Sequence, residues 1–293
     1  MDGGVFAILG ASGCGKSMTL KCIAGIERPD EGRIVLNDRV LFDSKKKINL
    51  PPQKRKVGYM FQDYALFPNM NVVQNIQAGM GRKPDQKKVQ EYITSFHLTG
   101  LETHMPDQLS GGQKQRVAMA RMLAAEPELL LLDEPLSNLD TKLRVETRQE
   151  IRRIQKETGV TAIFVTHDQE EAMCISDEIV LMKDGAIQQV SSPTDIYMNP
   201  INKFVASFIG SPEMNFINVD LKDGVGTLDT LTMENLPKNK NKAIIGVRAE
   251  DFEVAEKGLN TKVVTVEILG RERLLTLEHA GKEYKMLVDK EFF

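Results

Sequence analysis

The sequence predicts an α/β fold built on a largely parallel sheet, followed by a small all-β domain. Short apolar runs alternate with helical patterns over residues 1–210, the rhythm of strand–helix–strand crossovers. The first run passes directly into a glycine-rich loop and then a helix. Past Gly210–Pro212 the runs are separated by turn residues and helical patterning fades, which points to an antiparallel β domain.

Each element follows from its residues. Val5–Leu9 is uniformly apolar and reads as a buried strand. Lys16–Ala24 reads as a helix that Gly25 stops. Val57–Phe61 is a strand. Residues 71–109 differ: amphipathic pieces such as Gln86–Phe96, with loop signals around Gly79–Gly81 and Pro106, predict a helical insertion. Glu128–Asp133, Ala162–Thr166 and Glu178–Met182 are three more strands, and the charged, periodic stretch Thr141–Thr158 is a helix ending before Gly159. In the last part, Ala243–Val247, Lys262–Ile268, Leu274–Leu277 and Glu283–Val288 are short strands.

Composition narrows the function. The 293 residues carry 38 Lys+Arg against 41 Asp+Glu, a net charge of -3, so the basic excess of a dedicated duplex binder is missing and no nucleic-acid partner is expected. Hydrophobic residues at 41% and charged residues at 27% exclude wholesale disorder. No apolar run approaches the roughly 18 residues of a membrane span, and no secretory signal is visible. Three cysteines, Cys14, Cys22 and Cys174, form no CxxC pair. A reducing compartment without disulfides or zinc is the expectation.

Three motifs carry chemistry. Gly10-Ala11-Ser12-Gly13-Cys14-Gly15-Lys16-Ser17 matches GxxxxGK[ST], with a strand before it and a helix after it. Glycines let successive N–H groups turn inward on phosphate oxygens, and the helix start adds partial positive charge. Lys16 is expected to bridge the β- and γ-phosphates and Ser17 to ligate Mg²⁺. Cys14 occupies a variable position and reads as a small tolerated residue. Next, the apolar strand Leu129–Leu132 ends in Asp133 and Glu134. Asp133 sits where such sheets hold ligands and is expected to hold Mg²⁺; Glu134, one residue on, is placed to act as general base toward an attacking water. The third motif is Leu109–Gln113, which opens a helix. Ser110 and Gln113 have capping-box spacing, which by itself is only a well-capped helix start. Gly111 and Gly112 additionally let exposed amides approach an anion. A second phosphate-facing helix start implies that two chains share one nucleotide.

Taken together, these motifs resemble the ATP-binding-cassette ATPases in order and spacing. Gln62 within Phe61–Pro68, Ser137–Asp140 and Thr166–Asp168 are further matches, so the resemblance covers residues 3–210. It implies a P-loop NTPase with a RecA-like core, an ABC ATPase domain over 1–210 with a helical subdomain at about 71–115, and ATP and Mg²⁺ as cofactors. Two cassettes close head to tail, so that each ATP lies between one loop (Gly10–Ser17, with Met18 following) and the other chain's Ser110–Gln113. By the same resemblance Gln62 touches Mg²⁺ and the attacking water and senses the membrane partner. His167 contacts the γ-phosphate, and Asp140 links the two sites. Tyr64 and Phe67 are candidates for docking a partner's short helix.

The branch is less sharply marked. Residues 47–68 look like importer ATPases for oxyanions and polyamines. Pro193–Tyr197 and Phe208–Phe216 look like the maltose-type and glycerol-phosphate importers. Gly246–Asp251 and Val264–Gly270 are similar to their OB-like regulatory β domain, here 211–293. An importer subunit at the cytoplasmic membrane face is expected, working with a second ATPase subunit, transmembrane permease subunits and, indirectly, a solute-binding protein. Sugar or sugar phosphate is the leading cargo, with sulfate, molybdate or polyamine as alternatives; a soluble cassette ATPase and a binding module without turnover are the readings from other classes. One departure stands out. The family stacks an upstream aromatic on adenine, yet nine residues precede Gly10 here, and the β domain stops early, so a chain truncated at both ends is expected. Base–aromatic stacking contributes on the order of 1–3 kcal/mol. This chain should therefore bind ATP about tenfold more weakly than a version extended upstream; equal affinities in a fluorescent ATP-analogue titration would refute that.

Overall fold

The computed structural model describes residues 3–292 except Asn138, Asp140, Thr230 and Lys257, with Phe292 described by its backbone alone. It divides into two compact units, Met1–Ile196 and Tyr197–Phe293.

The first unit is organised by a six-stranded sheet. Its strands are β1 (Val5–Gly10), β5 (Val57–Met60), β6 (Leu129–Asp133), β7 (Thr161–Thr166), β8 (Glu178–Lys183) and β9 (Ala186–Ser191), in the order β5-β6-β7-β1-β8-β9. All neighbours are parallel except β8 and β9. Strand β1 lies between β7 and β8, with Ala7 opposite both Phe164 and Ile179. Both faces of such a strand are covered, which is why Val5, Ala7 and Leu9 are fully buried and why its sequence is apolar without alternation. Parallelism also brings the carboxyl ends of β5, β6, β7 and β1 to one edge, where ligands bind in open α/β sheets.

Helix α1 (Lys16–Ala24) follows β1 and ends at Gly25, whose φ of 80° permits the left-handed turn. A three-stranded antiparallel sheet comes next: β2 (Arg33–Leu36), β3 (Arg39–Asp43) and β4 (Ile48–Asn49). The sequence carries little signal for this sheet, because strands of two to five residues with exposed charges present little periodicity. The helical insertion holds α2 (Val72–Met80), α3 (Gln86–Ser95) and α4 (Gly111–Leu123). Asn71, Asp85 and Ser110 accept first-turn N–H bonds at their N-termini. Gly79 does not break α2 as its loop signal suggested. It sits in the last turn, where a Cβ would lie 2.0 Å from Arg121 O of α4, so glycine is what lets the two helices meet. Helices α5 (Thr141–Thr158), α6 (Gln169–Ile175) and α7 (Pro193–Met198) complete this part, and the division between units falls within α7.

The second unit begins with α8 (Lys203–Phe208). One antiparallel sheet has the order β12 (Leu231–Met233), β11 (Val225–Leu228), β10 (Asn215–Lys222), β13 (Lys242–Val247), and another the order β14 (Lys262–Leu269), β15 (Glu272–His279), β16 (Lys282–Asp289). Alternate residues Ile217, Val219 and Leu221 of β10 share a core with Leu275, Leu277, Tyr284, Met286 and Val288. The unit starts earlier than the composition shift at Gly210. Arg248, nearly buried, explains why: it donates to the carbonyls of Tyr197, Ala206 and Ile209 and stacks 4.2 Å from the Tyr197 ring centroid. The α8 segment is thereby tied to β13.

A second arginine organises the first unit. Arg55 is completely buried and donates to Cys22 O and Ile23 O at 2.8 Å, closing the C-terminus of α1, and to Leu50 O and Asn49 Oδ1. An alanine Cβ at position 25 would lie 2.4 Å from its Nε. Replacing Arg55 with methionine strands several buried carbonyls, and urea unfolding should show a loss of about 3 kcal/mol or more.

Candidate nucleotide and catalytic site

Four consecutive strand ends assemble the site. After β1, the loop Gly10–Gly15 curls with φ of 83° at Gly13 and 97° at Gly15. A side chain on Gly13 would meet nothing within 4 Å, whereas one on Gly10 would collide with Met182 O at 2.4 Å. The loop is thus pressed onto β8 at its start and open on its outer side. Gly15 caps α1 without a side-chain bond, so the helix start is left to an outside acceptor. Cys14 points inward and is buried in the core beneath, which accounts for a small residue there. Met18 is exposed in the first turn, and Ala11 and Ser12 are exposed on the loop.

Lys16 is 5% exposed. Its ammonium donates to Gly10 O at 2.8 Å and Ala11 O at 2.9 Å, and among the described residues no carboxylate pairs with it. A buried cation compensated only by carbonyl dipoles is costly. An entering polyphosphate supplies the missing counter-charge, so this loop fits a nucleoside triphosphate.

Ser17 and Asp133 lie 116 residues apart in the chain, yet Ser17 Oγ donates to Asp133 Oδ1 at 2.7 Å. The other oxygen, Oδ2, accepts from Tyr59 Oη at 2.7 Å. A hydroxyl and a carboxylate in contact, aimed at a phosphate loop, suit a hard cation that takes its remaining ligands from substrate and water. No cluster of three or more His, Cys, Asp or Glu side chains able to hold a metal occurs among the described residues. Tyr59 escaped sequence reading. A tyrosine in a short strand looks like core, and only the adjacency of β5 and β6 places its hydroxyl on Asp133. Burial, then the Asp133 carboxylate, push its phenol well above the ordinary tyrosine range, so it remains a donor.

Glu134 adopts φ 47°, an unfavourable left-handed conformation for a non-glycine residue. Its N–H donates to Val165 O at 3.1 Å, and Ser137 Oγ donates to its carbonyl at 3.0 Å. Its carboxylate lies 3.4 Å from His167 Nδ1, and Gln62 Nε2 donates to Ser137 Oγ at 3.4 Å. Gln62, Glu134 and His167 are therefore gathered around one turn. The turn carrying His167 is itself braced. Asp168 caps α6, its N–H donates to Thr166 Oγ1, and that hydroxyl donates to buried Glu171. Arg144 lies within 3.7 Å of the Asp168 and Glu171 carboxylates.

The signature segment stands apart. Ser110 Oγ accepts from Gln113 N at 3.4 Å and Gln113 Oε1 accepts from Ser110 N at 2.8 Å, a complete capping box. Gly112 approaches Leu143 so closely that a Cβ would sit 2.8 Å from its Cδ1, while Gly111 is exposed. Among the described residues no hydrogen bond joins Ser110–Gln113 to the loop at 10–18 of the same chain. Asp140 lies outside the described residues. Of the two aromatics expected to dock a partner, Phe67 is 44% exposed but Tyr64 is only 6% exposed; its ring belongs to the interior.

A phosphate loop ending a central parallel strand, with an Asp–Glu pair on a nearby strand end, defines a P-loop nucleoside triphosphatase. The chain belongs to the ABC transporter family, whose model matches residues 1–137. Over 96% of its length it is 41% identical to the trehalose/maltose import ATP-binding protein MalK of Thermococcus litoralis, covering 82% of that protein. It is 40% identical over 99% of its length to the sn-glycerol-3-phosphate import ATP-binding protein UgpC of Jannaschia sp., covering 84% of it. Among solved structures it is similar to the dimeric, ADP- and Pi-bound post-hydrolysis state of the cassette MJ0796 (TM-score 0.56, 30% identity, 66% of this chain and 87% of that one). It is also similar to cbiO1 of Clostridium perfringens, part of the transporter complex cbiONQ (TM-score 0.60, 32% identity, 68% and 80%). As a member of this family the chain binds and hydrolyses ATP to energise import.

Tyr59 offers a direct test of how Asp133 is held. Tyr59→Phe should cost about 1–3 kcal/mol in urea unfolding, the value of a hydrogen bond to a charged group; an unchanged midpoint would mean that water replaces the phenol at no cost.

Proposed function

We propose that this chain energises uptake of a sugar or sugar phosphate from the cytoplasmic face of the cell membrane, as one of two ATPase subunits under a pair of permease subunits. The names of the two relatives above support the cargo class. No helix among the described residues is long and apolar enough to cross a membrane, and this reading assigns the membrane path to the partners and solute capture to a binding protein acting through them.

The observation that carries the reading is the uncompensated Lys16 beside two prepared pairs, Ser17–Asp133 and Glu134–His167. In this reading Lys16 and the amides of Gly13–Ser17 take the β- and γ-phosphates. Ser17 and Asp133 hold Mg²⁺, with Gln62 nearby. An ion held by these residues would supply charge neutralisation at the phosphate oxygens. Glu134 orients a water and accepts its proton, and its clamped backbone aims the carboxylate. His167, 3.4 Å from that carboxylate, is placed to touch the γ-phosphate. The preformed helix start at Ser110–Gln113 closes on the nucleotide of a second copy, where Gly111 and Gly112 present bare amides; Asp140 links the sites. The dimeric solved cassette supports this pairing.

Glu134→Gln keeps the size and hydrogen bonding of the side chain but cannot take a proton. It should bind ATP as the parent does, accumulate as a dimer in size-exclusion chromatography, and lose at least about 100-fold in turnover. Hydrolysis at the parent rate removes Glu134 as the base.

A further inference from the structure

The loop between β5 and α2, residues 61–71, is held very unevenly by the rest of the fold. Arg121, in the last turn of α4, donates from Nη1 to Ala65 O at 2.7 Å and from Nη2 to Tyr64 O at 2.9 Å. Its guanidinium also lies 5.0 Å from the Phe67 ring centroid. Tyr64 and Ala65 adopt φ of 63° and 42°, conformations that non-glycine residues take only when surroundings impose them. They turn two successive carbonyls onto one planar fork, a geometry that guanidinium satisfies and ammonium does not.

Farther along, Asn75 of α2 is completely buried. It accepts from Phe67 N at 2.9 Å and donates to the carbonyls of Phe67, Met70 and Asn71. Helix α2 in turn touches α4 at Gly79, against the backbone of the same Arg121. The segment 64–71 is thus bonded to the helical insertion. Gln62, at its start, faces the other way and donates to Ser137 Oγ over a long 3.4 Å.

We propose that Arg121 is a positioning residue that makes the Tyr64–Phe67 segment a mechanical extension of α4. The helix begins with Ser110–Gln113 and carries Arg121 in its last turn, so motion of its start toward a nucleotide carries the exposed Phe67 with it. Two charge-assisted bonds and a stacked ring at one end of a 13-residue helix form the linkage. This rests on the two-chain reading above and adds how closure is passed to the surface bearing Phe67.

The test is hydrogen–deuterium exchange on the full chain carrying Glu134→Gln, with and without ATP and Mg²⁺. Trapping the dimer should slow exchange in peptides covering 61–70 and 109–121 together, by about threefold or more. Adding Arg121→Gln should preserve the folded dimer and the protection of 109–121, while the response of 61–70 falls below about 1.5-fold. Arg121→Lys keeps the charge but cannot bridge both carbonyls; it should behave like Arg121→Gln and carries the test should the glutamine variant fail to fold. Undiminished protection of 61–70 in either folded variant overturns the inference and leaves the two-chain reading intact. Loss of the dimer in both folded variants makes Arg121 part of closure itself and also overturns it. A parent that stays monomeric with ATP overturns the two-chain reading, and this inference with it.

Discussion

A buried positive charge with no carboxylate partner among the described residues lies at the centre of the first unit's phosphate loop. Lys16 is held by two carbonyl oxygens of its own loop, and dipoles of that kind do not cancel an ammonium in a poorly hydrated place. The cost is tolerable because the loop is otherwise fixed: Gly10 is pressed against β8 and Cys14 sits in the core below. An anion entering the loop would supply the missing counter-charge. The uncapped start of α1 adds to the same demand.

Around that charge, the remaining groups are held ready by bonds among themselves. Asp133 is fixed from both sides, by Ser17 and by Tyr59. Glu134 is forced into a left-handed backbone, yet its N–H donates to Val165 O and its carbonyl accepts from Ser137 N and Oγ, which hold it there. His167 is presented by a turn whose hydroxyl, carboxylates and arginine brace one another. Under the proposed function, groups fixed before substrate arrives would need no reorganisation during reaction, which is where such sites gain most. Burial holds the Glu171 carboxyl above its usual range, which marks how far the brace lies from solvent.

Arginine recurs as the means of joining separate segments. Arg55 ties the end of α1 to the residues before β5, Arg121 ties α4 to the segment after β5, and Arg248 ties α8 to β13. In each case carbonyl oxygens from elsewhere in the chain are collected by one planar fork. Gly25, Gly79 and Gly210 lie where these joints leave no room for a Cβ.

What the sequence determined by itself was whatever depends on near neighbours. The phosphate loop, the Ser110–Gln113 capping box, the apolar run Leu129–Leu132 of β6 and the helix stop at Gly25 all rest on residues within a few positions of each other. Their chemistry is therefore written locally. Tertiary structure decided what depends on which strand lies beside which. The parallel order β5-β6-β7-β1 brings Tyr59 to Asp133, and Gln62, Glu134 and His167 to one turn. It also put Tyr64 inside, kept Gly79 helical and carried the second unit back to Tyr197. The physical reason is separation along the chain: hydrogen-bond partners 116 residues apart leave no period and no spacing to read, and meet only once the sheet has formed.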